Sequence, residues 1–169
     1  MTKQNKPSLL FVCTANRFRS PIAEAVFRKL LSEQGIEQNW NVGSAGTWTE
    51  DELLPIPSAE WSLEHLGLDL SKHRSRCINR ELFAQYDLIL VMEKSQKEAL
   101  QIEYPGLSKR IFMLTELSKG PVHDIPDPIR ETEETFLDVA QELIQLITNS
   151  FSEICLQIST IRNLTSDIS

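Results

Sequence analysis

Short apolar runs alternate along the chain with longer stretches in which apolar residues recur every three or four positions. The short runs are Ser8–Val12, Asp87–Met92 and Arg110–Leu114, and Trp40–Thr47 reads as a further strand. A continuous apolar run of this length suits a strand buried on both faces, as in a parallel sheet. Asp87–Met92 (DLILVM) is the clearest, and Trp40–Thr47 runs into a glycine turn. Residues 21–34 carry Ile22, Val26 and Leu30 with Ala23, Phe27 and Leu31 alongside. That spacing predicts a helix, with Ser20 as N-cap, Pro21 in the first turn and Gly35 as its stop. Further helices are expected from Ser58 to about Leu66, closed by Gly67, from Asn79 to about Gln85, and from Ser95 to Gln101. From Glu131 to about Ile158 the pattern is strongly helical, through Phe136, Val139, Ala140, Leu143, Ile147, Phe151 and Ile154. Residues 53–57, the basic stretch 68–78 and the three-proline stretch 120–130 read as loops. The polar residues after Ser159 read as a frayed tail.

Strands that alternate with helices imply βαβ units, right-handed crossovers and a parallel sheet covered on both sides, a three-layer α/β sandwich. The 169 residues show no repeat or linker, so a single domain is expected, with a core over about 8–158 and a tail over about 159–169. In such sheets ligands bind beyond the C-terminal strand ends. Cys13 stands at one of those ends.

Composition narrows the partners. The formal net charge of −7 argues against broad nucleic-acid binding, which needs a basic face. A local cationic site for a phosphoryl substrate remains compatible with it. No apolar segment is long enough to span a bilayer or act as a signal peptide, so no membrane association and a cytoplasmic location are expected. Cys13, Cys77 and Cys155 are widely spaced and match no zinc pattern, so neither a metal nor another cofactor is implied.

The chemistry concentrates in Phe11–Pro21 (FVCTANRFRSP). Residues 14–19 must turn a strand into a helix, and their N–H groups can form an anion-binding nest at that helix's positive end. Arg19 offers a planar fork for two phosphate oxygens. A thiol in such a field is favoured as the thiolate, and Ser20 could donate to it. The pocket would stabilise a sulfur nucleophile and the oxygens of a transferring phosphoryl group. Against this stands the plain reading of a cysteine that ends an apolar strand, a small buried hydrophobe.

Cys13–Glu24 resembles the phosphate loop and first helix of low-molecular-weight protein tyrosine phosphatases. The likeness runs from about Leu9 to the final helix, through Ser44–Thr47, Asp69–Ser71 with His73 and Arg74, Asp87–Met92 and Asp127–Pro128. The resemblance implies a four-stranded parallel sheet in the order 2-1-3-4. It also implies phosphomonoester hydrolysis through a thiophosphoryl intermediate on Cys13, with Arg19 as oxyanion clamp and Asp127 as general acid and then base. Thr14, Ala15, Asn16, Arg17, Phe18 and Ser20 would line the phosphate site, with Asn16, Ser44 and His73 bracing the loop. The substrate would be a phosphorylated protein; phosphate, sulfate or vanadate would bind as site ligands. Read alone, Asp127 in Pro-Asp-Pro is also a good turn former, and Asp124 is the competing acid. His65 and His123 read as solvated surface residues, Cys155 as core, and Cys77 is left open.

Several positions depart from that family pattern. Phe18 stands where many members have a second cysteine, so no disulfide can form within the loop. Ala15 replaces a usual glycine, and Arg17 a small or apolar residue. Ile129 replaces an aromatic pocket wall, which Trp48 could supply instead. Four readings follow: a phosphotyrosyl-protein phosphatase, a protein-arginine phosphatase of the same fold, an arsenate reductase, and a catalytically silent phosphoprotein-binding module. The reductase would need relay cysteines, and only Cys77 is at hand.

Overall fold

The computed structural model describes residues 6–166. Four strands, β1 (Ser8–Cys13), β2 (Asn41–Gly46), β3 (Leu88–Val91) and β4 (Ile111–Met113), form one sheet. Its order is β2-β1-β3-β4 and every pairing is parallel. This is the expected order, with β1 in the interior and Cys13 at its C-terminal end.

Period-two alternation divides the core between the two faces. Leu9 and Phe11 of β1, with Leu88 and Leu90 of β3, pack under α1 (Arg19–Glu33) and α5 (Glu133–Ser166). Leu63 of α2 (Pro57–Leu66) joins this layer. Leu10, Val12, Ile89, Val91 and Ile111 face the other way, against Leu82 and Phe83 of α3 (Arg80–Ala84) and Leu100 of α4 (Lys94–Glu103). Helices therefore cover both faces.

The helix ends differ from expectation in three places. Phe18, not Ser20, is the N-cap of α1, and the Ser20 hydroxyl turns to the thiol instead. Ile56 caps α2 with Pro57 in its first turn, so Ser58 lies inside the helix. Helix α5 starts at Glu133 and runs through Ser166, where a frayed tail was expected. Its apolar stripe continues in Ile158 and Ile161, both buried. The Ser159, Thr160 and Thr165 hydroxyls donate to carbonyls one turn back, so the polar residues stay within the helix. Arg162 Nη1 then donates to Asp87 Oδ2 and Lys6 O, each at 3.0 Å. Elsewhere the cues hold: the Asn79 side chain caps α3 at Leu82 N, and Gly67 ends α2 with φ 67°.

Candidate active site

Beyond Cys13 the chain loops through residues 14–18 before α1 begins at Arg19. The loop's carbonyls are taken up by its surroundings. Thr47 N donates to Cys13 O, Trp48 N to Thr14 O, Ile56 N to Arg17 O, and Ile22 N to Phe18 O, at 2.9–3.1 Å. His73 Nε2 lies 2.7 Å from Asn16 O. In a trans peptide the N–H points opposite to the C=O. With these five carbonyls turned outward, the N–H groups of Thr14, Ala15, Arg17, Phe18 and Arg19 turn inward together. That arrangement is an anion nest, reinforced by the N-terminal end of α1.

Cys13 is 2% exposed. Its Sγ lies 3.0 Å from Ser20 Oγ and accepts from Asn16 N at 3.3 Å. Asn16 adopts φ 53°, the left-handed region that Asn tolerates better than most residues. Its amide is used on both sides: Nδ2 donates to Ser20 Oγ at 2.9 Å, and Oδ1 accepts from Arg76 N at 3.0 Å. Ala15 has no positive φ, so the missing glycine leaves no strain there.

Arg19 is also 2% exposed, an unusual depth for a guanidinium unless it is paired. Nη1 donates to Glu93 Oε1 and, at 2.8 Å, to Ile125 O; Nη2 donates to Asp127 Oδ2 at 3.0 Å. Asp127, 34% exposed, thus sits beside the nest although it is 108 positions from Arg19. Its other oxygen accepts from Ile129 N at 3.2 Å. Asp124 points elsewhere and accepts from Lys94 N at 2.7 Å, at the start of α4.

Other expected site residues stand further back. The Ser44 hydroxyl donates to Glu24 Oε2 at 2.7 Å rather than to a loop atom. The Phe18 ring turns away from the loop and packs edge-on against Phe136, centroids 4.9 Å apart, so only its peptide group remains at the site. Arg17 Nε donates to Leu54 O at 2.7 Å, tying the cation to the rim. Trp48 and Ile129 are 84% and 54% exposed, on loops around the thiol. Cys77 is bridged to Gly46, which pairs with Cys13 in the sheet. Two ladder spacings of about 4.8 Å put the two cysteines too far apart for a disulfide.

Sequence reasoning missed Glu93, Gln96 and Arg76. Gln96 Nε2 donates to Thr14 Oγ1 at 3.1 Å, and its Oε1 accepts from the N–H groups of Met92 and Glu93. The Glu93 carboxylate also caps α4. One cue was present: Glu93 follows the C-terminal end of β3, where ligand-contacting residues collect in such sheets. Burial lowers the His73 pKa from 6.5, against the Asn16 hydrogen bond and the Glu24 charge, which raise it. The ring is then neutral, with its proton on Nε2 facing Asn16 O. His123, expected to be solvated, is partly exposed and holds Nε2 2.6 Å from Glu142 Oε1. Among the described residues no cluster of three or more potential metal ligands occurs, and no helix is long and apolar enough to cross a membrane.

A family model described as low molecular weight phosphotyrosine protein phosphatase matches residues 8–159. The low molecular weight phosphotyrosine protein phosphatase of Sus scrofa is 43% identical over 56% of this chain and 60% of its own length. The chain thus spans three-fifths of that relative in the matched region. The protein-arginine-phosphatase of Bacillus subtilis is 30% identical over 82% of this chain and 91% of its own. The solved low molecular weight protein tyrosine phosphatase of T. tengcongensis superposes with a TM-score of 0.80 at 32% identity, covering 88% of this chain and 99% of that one.

Proposed function

Because the chain belongs to the low-molecular-weight phosphotyrosine protein phosphatase family, we propose that it is a phosphoric monoester hydrolase acting on phosphotyrosyl protein. The convergence of Cys13, Arg19 and Asp127 on one nest of N–H groups carries this reading. Cys13 Sγ attacks phosphorus in line with the leaving oxygen, and the Cys13–phosphorus bond forms as the ester bond breaks. The nest and Arg19 hold the equatorial oxygens, where negative charge must be stabilised. A phosphoryl group that takes the Arg19 fork displaces Asp127 from Nη2; the carboxylate, parted from the guanidinium and beside the phosphoryl charge, takes up a proton from solvent and passes it to the leaving oxygen. Asp127 then removes a proton from the water that cleaves the thiophosphoryl bond, releasing phosphate and restoring the thiolate. Ser20 and Asn16 N support the sulfur anion in both halves of the cycle.

Phosphate, sulfate and vanadate are the expected inhibitors, and the reaction as proposed runs in the cytoplasm. Cys13→Ser should abolish turnover of p-nitrophenyl phosphate while retaining phosphate binding by calorimetry. An active Cys13→Ser enzyme would refute the mechanism. Asp127→Ala should lower kcat by about 10²–10⁴-fold.

The protein-arginine phosphatase reading gains from the similarity to the Bacillus subtilis enzyme and from Ile129, which offers no ring for stacking. Competing phosphotyrosyl and phosphoarginyl peptides in one reaction, followed by phosphate release and mass spectrometry, decides between them. The separation of Cys13 from Cys77 speaks against a disulfide relay, and the intact pairing of Arg19 with Asp127 against a silent module.

A further inference from the structure

Asp127 lies on the segment 118–132, which is outside any helix or strand. Besides Arg19, which donates to Ile125 O and Asp127, four contacts fix this segment from different sides. Thr115 Oγ1 donates to His123 O at 2.8 Å, Asp124 accepts from the first turn of α4, and Ile125 N donates to Met92 O at 2.9 Å. The fourth is the His123 ring, which reaches across to Glu142 on α5.

Both ring nitrogens of His123 face acceptors. Nδ1 is 2.9 Å from the Pro121 carbonyl oxygen and Nε2 is 2.6 Å from the Glu142 carboxylate. A neutral imidazole carries a single N–H and can satisfy one of these; the imidazolium satisfies both. We propose that His123, as an imidazolium ion, is a positioning residue for Asp127: it fastens the acid-bearing segment to α5 through Glu142, and the fastening loosens when the ring loses a proton. This inference rests on the phosphatase reading for its catalytic consequence, though not for the clamp itself.

The charges around the ring agree with it. The Glu142 hydrogen bond and then the Pro121 carbonyl raise the His123 pKa from 6.5, against desolvation, with the Glu142 and Asp124 charges adding to the rise. Glu142 faces the ring from α5 and Asp124 from its own segment. The short 3₁₀ turn at residues 114–117 presents the Thr115 hydroxyl, while its carboxylate, Glu116, is taken by Lys97 and Met113 N. Because the folded pKa is raised, the clamp is complete below 6.5 and is lost as pH climbs through the raised value. Ring and carboxylate are 42% and 33% exposed, so salt should weaken the pair.

The test compares the full chain with His123→Gln, Glu142→Gln and His123→Arg, using p-nitrophenyl phosphate from mildly acidic to mildly alkaline pH at low and high salt. NMR titration of the His123 ring and hydrogen exchange at residues 120–128 are recorded in parallel. The two Gln variants should lose about two- to fivefold in kcat at neutral pH with little change in KM, as expected for an exposed ion pair. Their basic limb should move or flatten, and exchange at residues 120–128 should quicken. His123→Arg, charged throughout, should restore kcat and remove the salt-sensitive part of the basic limb. A wild-type ring that titrates at or below 6.5, or Gln variants with an unaltered basic limb, would overturn the proposal. A wild type with no turnover would instead defeat the phosphatase reading, and the ring titration and exchange data would still judge the clamp.

Discussion

Phe18 buries its ring against Phe136 while its peptide group stays in the loop around Cys13. Phe18→Ala should therefore cost about 3–5 kcal/mol of stability, read from urea denaturation, by opening a core cavity. The same residue removes a local thiol, and the other two cysteines cannot replace it. Cys77 lies two strands across, and burial pushes the Cys155 thiol up to about 11. Peroxide should carry Cys13 through the sulfenic acid to the sulfinic acid, visible as a gain of two oxygens in peptide mass spectra. A reversible Cys13–Cys77 bond in those spectra would contradict this. Glu93→Gln should raise KM for aryl phosphate by roughly tenfold, since a hydrogen bond to a charged group contributes about 1.5–3 kcal/mol. Cys13 and Arg19 stood out in the sequence because a thiol at a strand end six residues before a cation is unusual, whereas Asp127 was marked out by the family resemblance, since Pro-Asp-Pro alone also reads as a turn. Glu93, Gln96 and Arg76 did not stand out, since a Glu at a helix start or an Arg in a basic loop looks solvated until the fold supplies its partner.

The elements were legible where period and stop signals agree, and misread where they conflict. Apolar runs located β1, β3 and β4, β2 was read from its approach to a glycine turn, and Asn79 and Gly67 marked helix ends for local reasons. The end of α5 was lost because Ser159, Thr160 and Thr165 outnumber Ile158 and Ile161, although only the last two face the core. Ile161→Ala should accordingly lower stability by about 2–5 kcal/mol, as for a buried site, where a frayed tail would show no change. Strand β2 carries a comparable constraint. A Cβ added at Gly46 would meet Thr14 O at 2.7 Å, and backbone cannot yield as a side chain can. Gly46→Ala should displace the nest, so kcat/KM should fall further than thermal stability does. Matched losses in the two measurements would show that the strand, not the loop, absorbs the added methyl.

Across the whole molecule, the environments of His73 and His123 predict opposite pH limits on stability. His73 is depressed by burial, so the stability tied to its neutral ring is present above 6.5 and lost as pH falls through the lowered value. His123 is raised, and its share is lost on the alkaline side. Melting temperature plotted against pH should show a shoulder on each flank, the acid one absent in His73→Asn and the alkaline one absent in His123→Gln. Neither behaviour could be read from the sequence, where the resemblance marked His73 as a loop brace and left His123 as a solvated surface residue. At the opposite end of the strands, residue 162 of the last helix reaches residue 6 ahead of the first strand. The six residues of β1 separate that junction from the thiol by about 17 Å. A resin linker or fused reporter attached there would hold the protein by its base, leaving the loop around Cys13 unobstructed.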